Sequence, residues 1–290
     1  MTALPPNLKP TKEQILAAVQ HIENLNTAPH VLRHAIGLLA DVNADMGKVV
    51  GLINTDAALA ADIIRAANSA FYSSGERVAS LDRAVEKLGF RESIRLLSMS
   101  IVHLLAARDL GCYGIPAEVY WAESLYHGIF VEELARETNA ADPDTAHTAG
   151  LLRYIGRLAI NQIIHDLGGG LFWDGSDPLN EWELREVGVC QSEVAAVLLR
   201  TWRFPEELAE AIEFQSDPAR AAATNWYAGA LHFAGQVLSE GQPPLTVSTT
   251  VSAVPQTEFV RHHRLDRERV EAVFARTTGR FTEISRTLYD

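Results

Sequence analysis

The chain is 290 residues long, with 47% hydrophobic residues, 21% charged residues and a formal net charge of −12 at pH 7. These proportions fit a folded globular protein and argue against a disordered one. The negative charge argues against general binding to DNA or RNA, whose phosphates are held by clustered Lys and Arg.

The sequence carries no sign of export or membrane insertion. The amino terminus, MTALPPNLKPTKEQ, lacks the basic start and apolar core of a signal peptide. No run approaches the roughly 18 apolar residues of a membrane span. Cys112 and Cys190 are far apart and have no CxxC neighbour, so neither a disulfide framework nor a zinc ribbon is indicated. We therefore expect a cytoplasmic protein that binds neither membranes nor nucleic acid directly.

Apolar residues recur at helical spacing through the first hundred positions. Asp56 is placed to cap a helix, because its carboxylate can accept hydrogen bonds from the free amides of a first turn. Ser80 occupies the same place before LDRAVEKL, a segment that Gly89 is expected to end. A long helix is predicted over 91–107, so this part of the chain should be a helical bundle.

Gly111, Gly114 and Pro116 then interrupt the helical pattern, and we predict an amino-terminal lobe over 1–112 and a second lobe over 113–290. Alternating strand patterns are nearly absent, so the predicted fold class is all-α. In the second lobe we expect helices near 117–138, 144–166, 179–186, 191–201 and 205–214, then an irregular segment at 241–258 and two short helices at 266–276 and 279–288.

Two consecutive stretches form a longer pattern, DAALAADIIRAANSAFY from Asp56 and VASLDRAVEKLGFRESIRLLSMS from Val78. Together they resemble the HDOD domain family, helical relatives of the metal-dependent HD phosphohydrolases. The resemblance continues in AGLLRYIGRLAI, GVCQSEVAAVLLRTWRFPEEL and AIEFQSDP, and so covers most of the chain. It implies one HDOD unit over roughly 25–240, with a helical bundle packed against an HD-like lobe that has lost its metal site.

The positions that carry the HDOD signature are Asp56, Asn68 and Ser69. Asn68 and Ser69 come where a helix should end, and short polar side chains there satisfy exposed backbone groups. We interpret these residues as caps that mark the fold, not as a binding site.

An HD metal site needs histidines and carboxylates that hold one or two cations and activate a water. The positions that resemble those ligands here carry Glu123, Arg153, Tyr154, Gln191, Phe214, Gln215 and Gly235. Arginine stays protonated and offers a metal no free lone pair. The resemblance therefore implies no metal, no cofactor and no hydrolysis at this cleft.

Isolated histidines offer alternative ligands. His127 and His232 could substitute for lost ligands, and His30 and His34 share a helix face through their four-residue spacing. His127 and His232 each stand alone on a helix, and no carboxylate motif completes the other pair. We interpret all four as structural or surface histidines.

The resemblance implies a non-catalytic signalling or scaffold module of bacteria, found with two-component systems, as a response-regulator output, or with cyclic-dinucleotide pathways. Its partners would be signalling proteins. A second hypothesis is a metal-dependent nucleotide phosphohydrolase or phosphodiesterase with an unusual site built from Glu123, His127 and Asp144. A third is a cleft that binds a small anionic ligand without reaction through Arg153 and Arg157, which share a helix face.

Overall fold

The structure is a computed structural model that describes residues 9–22, 47, 67, 81–89, 91–93, 95–96, 110–201, 205–222, 225–238 and 254–289. Within these ranges the only strand-like pairing is an isolated antiparallel bridge between Leu110 and Ile115. The all-α prediction is confirmed. Asp56, Asn68 and Ser69 lie outside the described residues, as do His30 and His34.

Eleven α-helices are defined in the described part of the chain. In order they are α1 (Lys12–Gln20), α2 (Leu81–Leu88), α3 (Ala117–Thr138), α4 (Pro143–Leu151), α5 (Ile155–Asp166), α6 (Leu179–Trp182), α7 (Gln191–Thr201), α8 (Glu206–Glu213), α9 (Trp226–Val237), α10 (Glu258–His263) and α11 (Arg267–Tyr289). The helices predicted at 117–138 and 191–201 have these bounds, and α8 differs from 205–214 by one residue at each end. Residues 91–93 and 95–96 of the predicted helix 91–107 are also helical.

Local signals explain where several helices begin and end. Thr11 and Gln14 form a capping box at the start of α1: the Thr11 hydroxyl accepts from the Gln14 amide, and the Gln14 side chain accepts from the Thr11 amide. Gly89, with φ of +80°, ends α2 as predicted, and its amide donates to the carbonyl of Val85.

The loop at 110–115 contains a short 3-10 turn at Gly111–Tyr113 and leads into α3. Its residues contact α5 and the loop that follows it: the Cys112 amide donates to Asn161 Oδ1 at 3.1 Å, and the Trp173 amide donates to the Cys112 carbonyl at 2.8 Å. The interruption predicted from Gly111 and Gly114 is therefore real. The division into lobes at residue 112 remains a prediction.

α3 is the helix on which several other helices of the described chain pack. It packs against α4, α9 and α11, while α7 packs against α5, α8 and α1. Ile129, Phe130 and Leu134 are fully buried in the core between these helices. Burial of this apolar surface is the main force holding these helices together.

The prediction of one helix over 144–166 is wrong, because the chain turns at 152–154 and divides it into α4 and α5. Glycines flank this turn at positions where other backbone approaches closely. An ideal Cβ at Gly150 would lie 2.4 Å from the carbonyl oxygen of His127, and one at Gly156 only 1.9 Å from that of Gln191. The break therefore lets both halves contact their neighbours, α3 and α7.

The helix predicted at 179–186 changes type along its length. α6 ends at Trp182, and the backbone continues as a π-helical segment over Glu183–Val187 that Gly188 terminates with φ of +78°. Such wide turns are uncommon and often occur at functional positions. Here the segment places Glu183 in the core while Leu184 is exposed.

The carboxy-terminal prediction is also wrong in its elements. Instead of two short helices at 266–276 and 279–288, α11 runs unbroken through Gly279, beside which a Cβ would meet open space. α10 was not predicted, and α9 was predicted only as a helix that carries His232, without bounds. Of the segment predicted as irregular, residues 254–257 are described and have no regular structure, and 241–253 lie outside the described residues.

A ladder of ion pairs fixes α11 against α3. Arg269 and Arg276 both contact Glu137, and Arg276 also contacts Glu133, with each N to O distance at 2.8 Å. Glu133 is almost completely buried, so its charge must be paired. None of the helices in the described ranges has the length and apolar character needed to cross a membrane.

We predict that Gly156→Ala destabilises the protein by about 3 kcal/mol, because the new methyl group would overlap the Gln191 carbonyl and force α5 and α7 apart. The measurement is chemical denaturation followed by circular dichroism. Gly279→Ala is the matched control, since it adds the same methyl group in open space on a helix. It should leave stability unchanged or raise it by up to about 1 kcal/mol. Equal effects of the two variants would contradict the close approach.

Candidate functional site

Four of the residues that resemble lost HD ligands, Arg153, Tyr154, Gln191 and Gln215, meet at the turn between α4 and α5. Arg153 lies in this turn and is only 2% exposed. Its Nη1 donates a hydrogen bond to the carbonyl oxygen of Leu231 on α9 at 2.6 Å. A guanidinium therefore joins the turn to α9 inside the protein.

Tyr154 provides an aromatic surface for two cations. The guanidinium carbon of Arg153 lies 5.1 Å from the centre of the Tyr154 ring, and that of Arg157 lies 4.4 Å from it. Both distances are within the range of cation–π attraction, which is strongest when the groups are removed from water. The predicted pair of arginines is therefore brought to one ring, in the interior and not at the surface.

The backbone of the turn is held by two glutamine side chains. Nε2 of Gln191 and Nε2 of Gln215 each donate to the carbonyl oxygen of Arg153, both at 3.2 Å. Because the helix is broken here, this carbonyl can accept side-chain donors. Two of the predicted cleft positions, far apart in sequence, thus meet at a third.

Arg157 pairs with a buried carboxylate that the sequence reading did not identify. Its Nε lies 3.4 Å from Oε1 of Glu183, and Oε2 of Glu183 accepts a hydrogen bond from the Gln191 amide at 2.8 Å. Burial raises the pKa of Glu183, although the charge of Arg157 and the bond from Gln191 favour the ionised form. The spacing of Leu179, Trp182 and Glu183, three and four residues apart, could have indicated that Glu183 shares their buried helix face.

Glu123 and His127 stand one helical turn apart on α3. Nδ1 of His127 lies 2.9 Å from the carbonyl oxygen of Glu123, and the imidazole makes an edge contact with the Tyr154 ring. A carbonyl can only accept, so Nδ1 carries the proton. Burial and then the charge of Arg153 lower the pKa of His127 to about 3, so the imidazole is neutral at physiological pH. The interpretation of His127 as a structural residue agrees with these contacts.

The remaining predicted positions are less closely joined to this cluster. The ring of Phe214 faces Arg220, whose guanidinium carbon lies 4.6 Å from the ring centre. Gly235 follows Leu231 by one turn on α9, and no described contact joins it to Arg153. His232 is tied to Gln215, with Nδ1 lying 3.1 Å from the Gln215 carbonyl oxygen.

This set of side chains does not fit a divalent metal ion. The central group is a guanidinium, which has no lone pair to donate and would repel a second cation. Nη1 of Arg153 is directed at a carbonyl oxygen, one of the neutral acceptors that a metal would otherwise use. Across the described ranges, no three His, Cys, Asp or Glu side chains come together in a way that could hold a metal.

Neither cysteine is prepared for nucleophilic chemistry. Burial raises the pKa of Cys112 to about 12 and that of Cys190 to about 11, and the negative charge of Glu183 adds to both shifts. Both side chains are therefore protonated thiols at neutral pH, which are poor nucleophiles. The arrangement as a whole is a buried polar network that fixes α5, α7 and α9 on one turn.

The HDOD domain family matches residues 25–218 of the chain. Three solved structures share the fold. A protein of Marinobacter aquaeolei VT8 named for signal transduction is 24% identical, with a TM-score of 0.71 over 94% of this chain and 64% of the other. An HDOD domain protein of unknown function from Geobacter sulfurreducens is 21% identical, with a TM-score of 0.68 over 94% and 96%. A protein of Shewanella amazonensis SB2B named as a phosphohydrolase is 23% identical, with a TM-score of 0.66 over 94% and 97%.

An uncharacterized protein of Treponema pallidum is 23% identical over 208 residues. The match includes 70% of this chain but only 40% of the relative, so the chain spans about two fifths of that protein's length. At these identities the solved structures establish a shared fold.

We predict that Glu183→Gln removes a pH-dependent contribution to stability. The pKa of Glu183 is raised on folding above its ordinary value of 4.5, so the folded state binds this proton more tightly than the unfolded state. The contribution of Glu183 is therefore favourable below pH 4.5 and is lost as the pH rises through the folded pKa. The stability of the native protein minus that of Glu183→Gln should fall from pH 4 towards pH 7 in denaturation experiments. A difference that rises with pH would contradict this assignment.

Proposed function

The chain belongs to the HDOD domain family, and we propose that within it this protein is a non-catalytic signalling module that acts by binding. The partners that we favour are signalling proteins of two-component or cyclic-dinucleotide pathways. Catalysis of the HD type would require a cation held by the ligand positions, and the observation that weighs most against it is Arg153.

Arg153 occupies one of the positions that resemble HD metal ligands, and its side chain is buried there. A buried charge needs local partners, and those of Arg153 include the Leu231 carbonyl and the Tyr154 ring. We infer that the guanidinium replaces a metal ion as the positive group that joins the α4–α5 turn to α9. The helices can then remain packed although no metal is bound.

Binding of a small anion at Arg153 and Arg157 is the weaker form of this proposal. Arg157 already contacts Glu183, and both guanidinium groups lie against Tyr154. An anion would have to compete with these contacts inside the core. The contacts therefore favour a protein partner, which needs only the surface of the module.

The rival function is that named for the Shewanella relative, phosphohydrolysis. We predict that the full chain, purified without chelator, contains no stoichiometric metal and hydrolyses neither bis-p-nitrophenyl phosphate nor cyclic dinucleotides in the presence of Mn²⁺, Fe²⁺ or Mg²⁺. Glu123→Gln is the control for contaminating activity, since Glu123 is the one carboxylate among the positions that resemble HD ligands. Turnover that disappears in Glu123→Gln would refute the proposal.

A second test concerns the structural role of Arg153. We predict that Arg153→Met lowers the free energy of unfolding by about 2 kcal/mol, because it leaves the buried Leu231 carbonyl without its donor. Arg220→Met is the matched control. It also removes a guanidinium from an aromatic ring, but at a more exposed place, and should cost at most about 1 kcal/mol. An Arg153→Met protein as stable as the native one would show that the guanidinium does not join these helices.

A further inference from the structure

Another buried charge, the carboxylate of Glu132, lies on α3. Glu132 is fully buried on α3, where Val131 and Leu134 are fully buried as well and the neighbouring Glu133 is almost completely buried. A lone carboxylate at such a place would be strongly unfavourable, so the groups around it determine whether the surrounding packing is stable.

Three arginines and one histidine surround Glu132. Arg95 lies in the helical residues before the 110–115 loop, and its Nη2 is 2.9 Å from Oε2 of Glu132. Arg280 on α11 lies 3.2 Å from Oε1, and Arg136 on α3 lies 2.8 Å from the same oxygen. Nδ1 of His147 on α4 is 3.1 Å from Oε2.

These groups keep Glu132 ionised. Burial opposes ionisation, but contact with His147 and the charges of Arg95 and Arg280 together hold the pKa of Glu132 well below its usual range. Burial and the charge of Arg95 lower the pKa of His147, which leaves the arginines as the permanent cations. The ionised carboxylate of Glu132 therefore contacts arginines from two elements that are far apart in the chain, the helical residues around Arg95 and α11.

The residues around Arg95 lie within the range that matches the HDOD domain, and α11 lies beyond that range. Arg95 lies within residues 25–218, the range that matches the HDOD domain, whereas Arg280 lies beyond it. Arg95 is 13% exposed and Arg280 25% exposed, so each arginine also shields the carboxylate from water. If one of them leaves, water reaches Glu132 and weakens its attraction to the other.

We propose that Glu132 couples α11 to the helical residues around Arg95, so that loosening either element loosens the other. The coupling is cooperative, because each arginine helps to keep the carboxylate dry for its neighbour. A partner that drew α11 away from α3 would therefore change the packing of the amino-terminal part. This mechanism does not depend on whether the cleft at Arg153 is catalytic.

Hydrogen–deuterium exchange of the full chain, read by mass spectrometry, tests the coupling. Arg280→Met should accelerate exchange of the amides in residues 81–96 by about tenfold, although position 280 is distant from them in sequence. In the reverse direction, Arg95→Met should accelerate exchange in α11 to a similar degree. The amides of α5 serve as an internal reference for global unfolding and should change less.

Arg276→Met is the matched control, one helical turn from Arg280. Arg276 contacts Glu133 and Glu137, so its loss should accelerate exchange within α11 without reaching residues 81–96. The proposal fails if Arg276→Met and Arg280→Met affect residues 81–96 equally. It also fails if Arg95→Met slows exchange in α11, which would mean that the two arginines compete for Glu132. Should Arg280→Met not fold, Arg280→Lys keeps the charge, and the Arg95→Met experiment still decides the outcome.

Discussion

The structure depends on burying an arginine at the centre of a helical lobe. The guanidinium of Arg153 cannot lose its proton, so the surrounding chain must supply acceptors in fixed places. The Leu231 carbonyl and the Tyr154 ring do so, and two glutamines hold the backbone of the same residue. Satisfying one charge thus determines how the α4–α5 turn, α7 and α9 pack against one another.

Much of the fold could be predicted because its signals are local. Helical periodicity predicted α3 and α7 with their observed bounds, and Gly89 ends α2 where expected. The break at 152–154 could not be predicted in this way, since it follows from contacts of Gly150 and Gly156 with other helices. At Gly279 a helix end was predicted where none exists. A glycine in an exposed helix costs only about 1 kcal/mol, and α11 continues through it.

Several residues of the candidate site were indicated by the sequence, but most of the contacts between them were not. Family resemblance indicated Arg153, Tyr154, Gln191 and Gln215, and these residues do meet. The resemblance did not indicate Glu183, although the spacing from Leu179 and Trp182 could have done so. Glu183 lies at the start of a π-helical segment, which was not predicted, and contacts Arg157. The arginine ladder on α11 was also missed, although spacings of seven and four between Arg269, Arg276 and Arg280 place them on one helix face.

The glycines beside the α4–α5 turn bear on how such a domain can diverge. Gly150 and Gly156 are required by the closeness of neighbouring backbone, a constraint that exists whether or not a metal is bound. Substitution at the ligand positions can therefore proceed while the geometry of the turn is preserved. We expect substitutions at positions 153 and 154 to be accepted where their buried partners change with them, whereas any added volume at positions 150 and 156 would meet backbone. The geometry of the α4–α5 turn therefore depends on the small volume of these two glycines and not on the residues at the ligand positions alone.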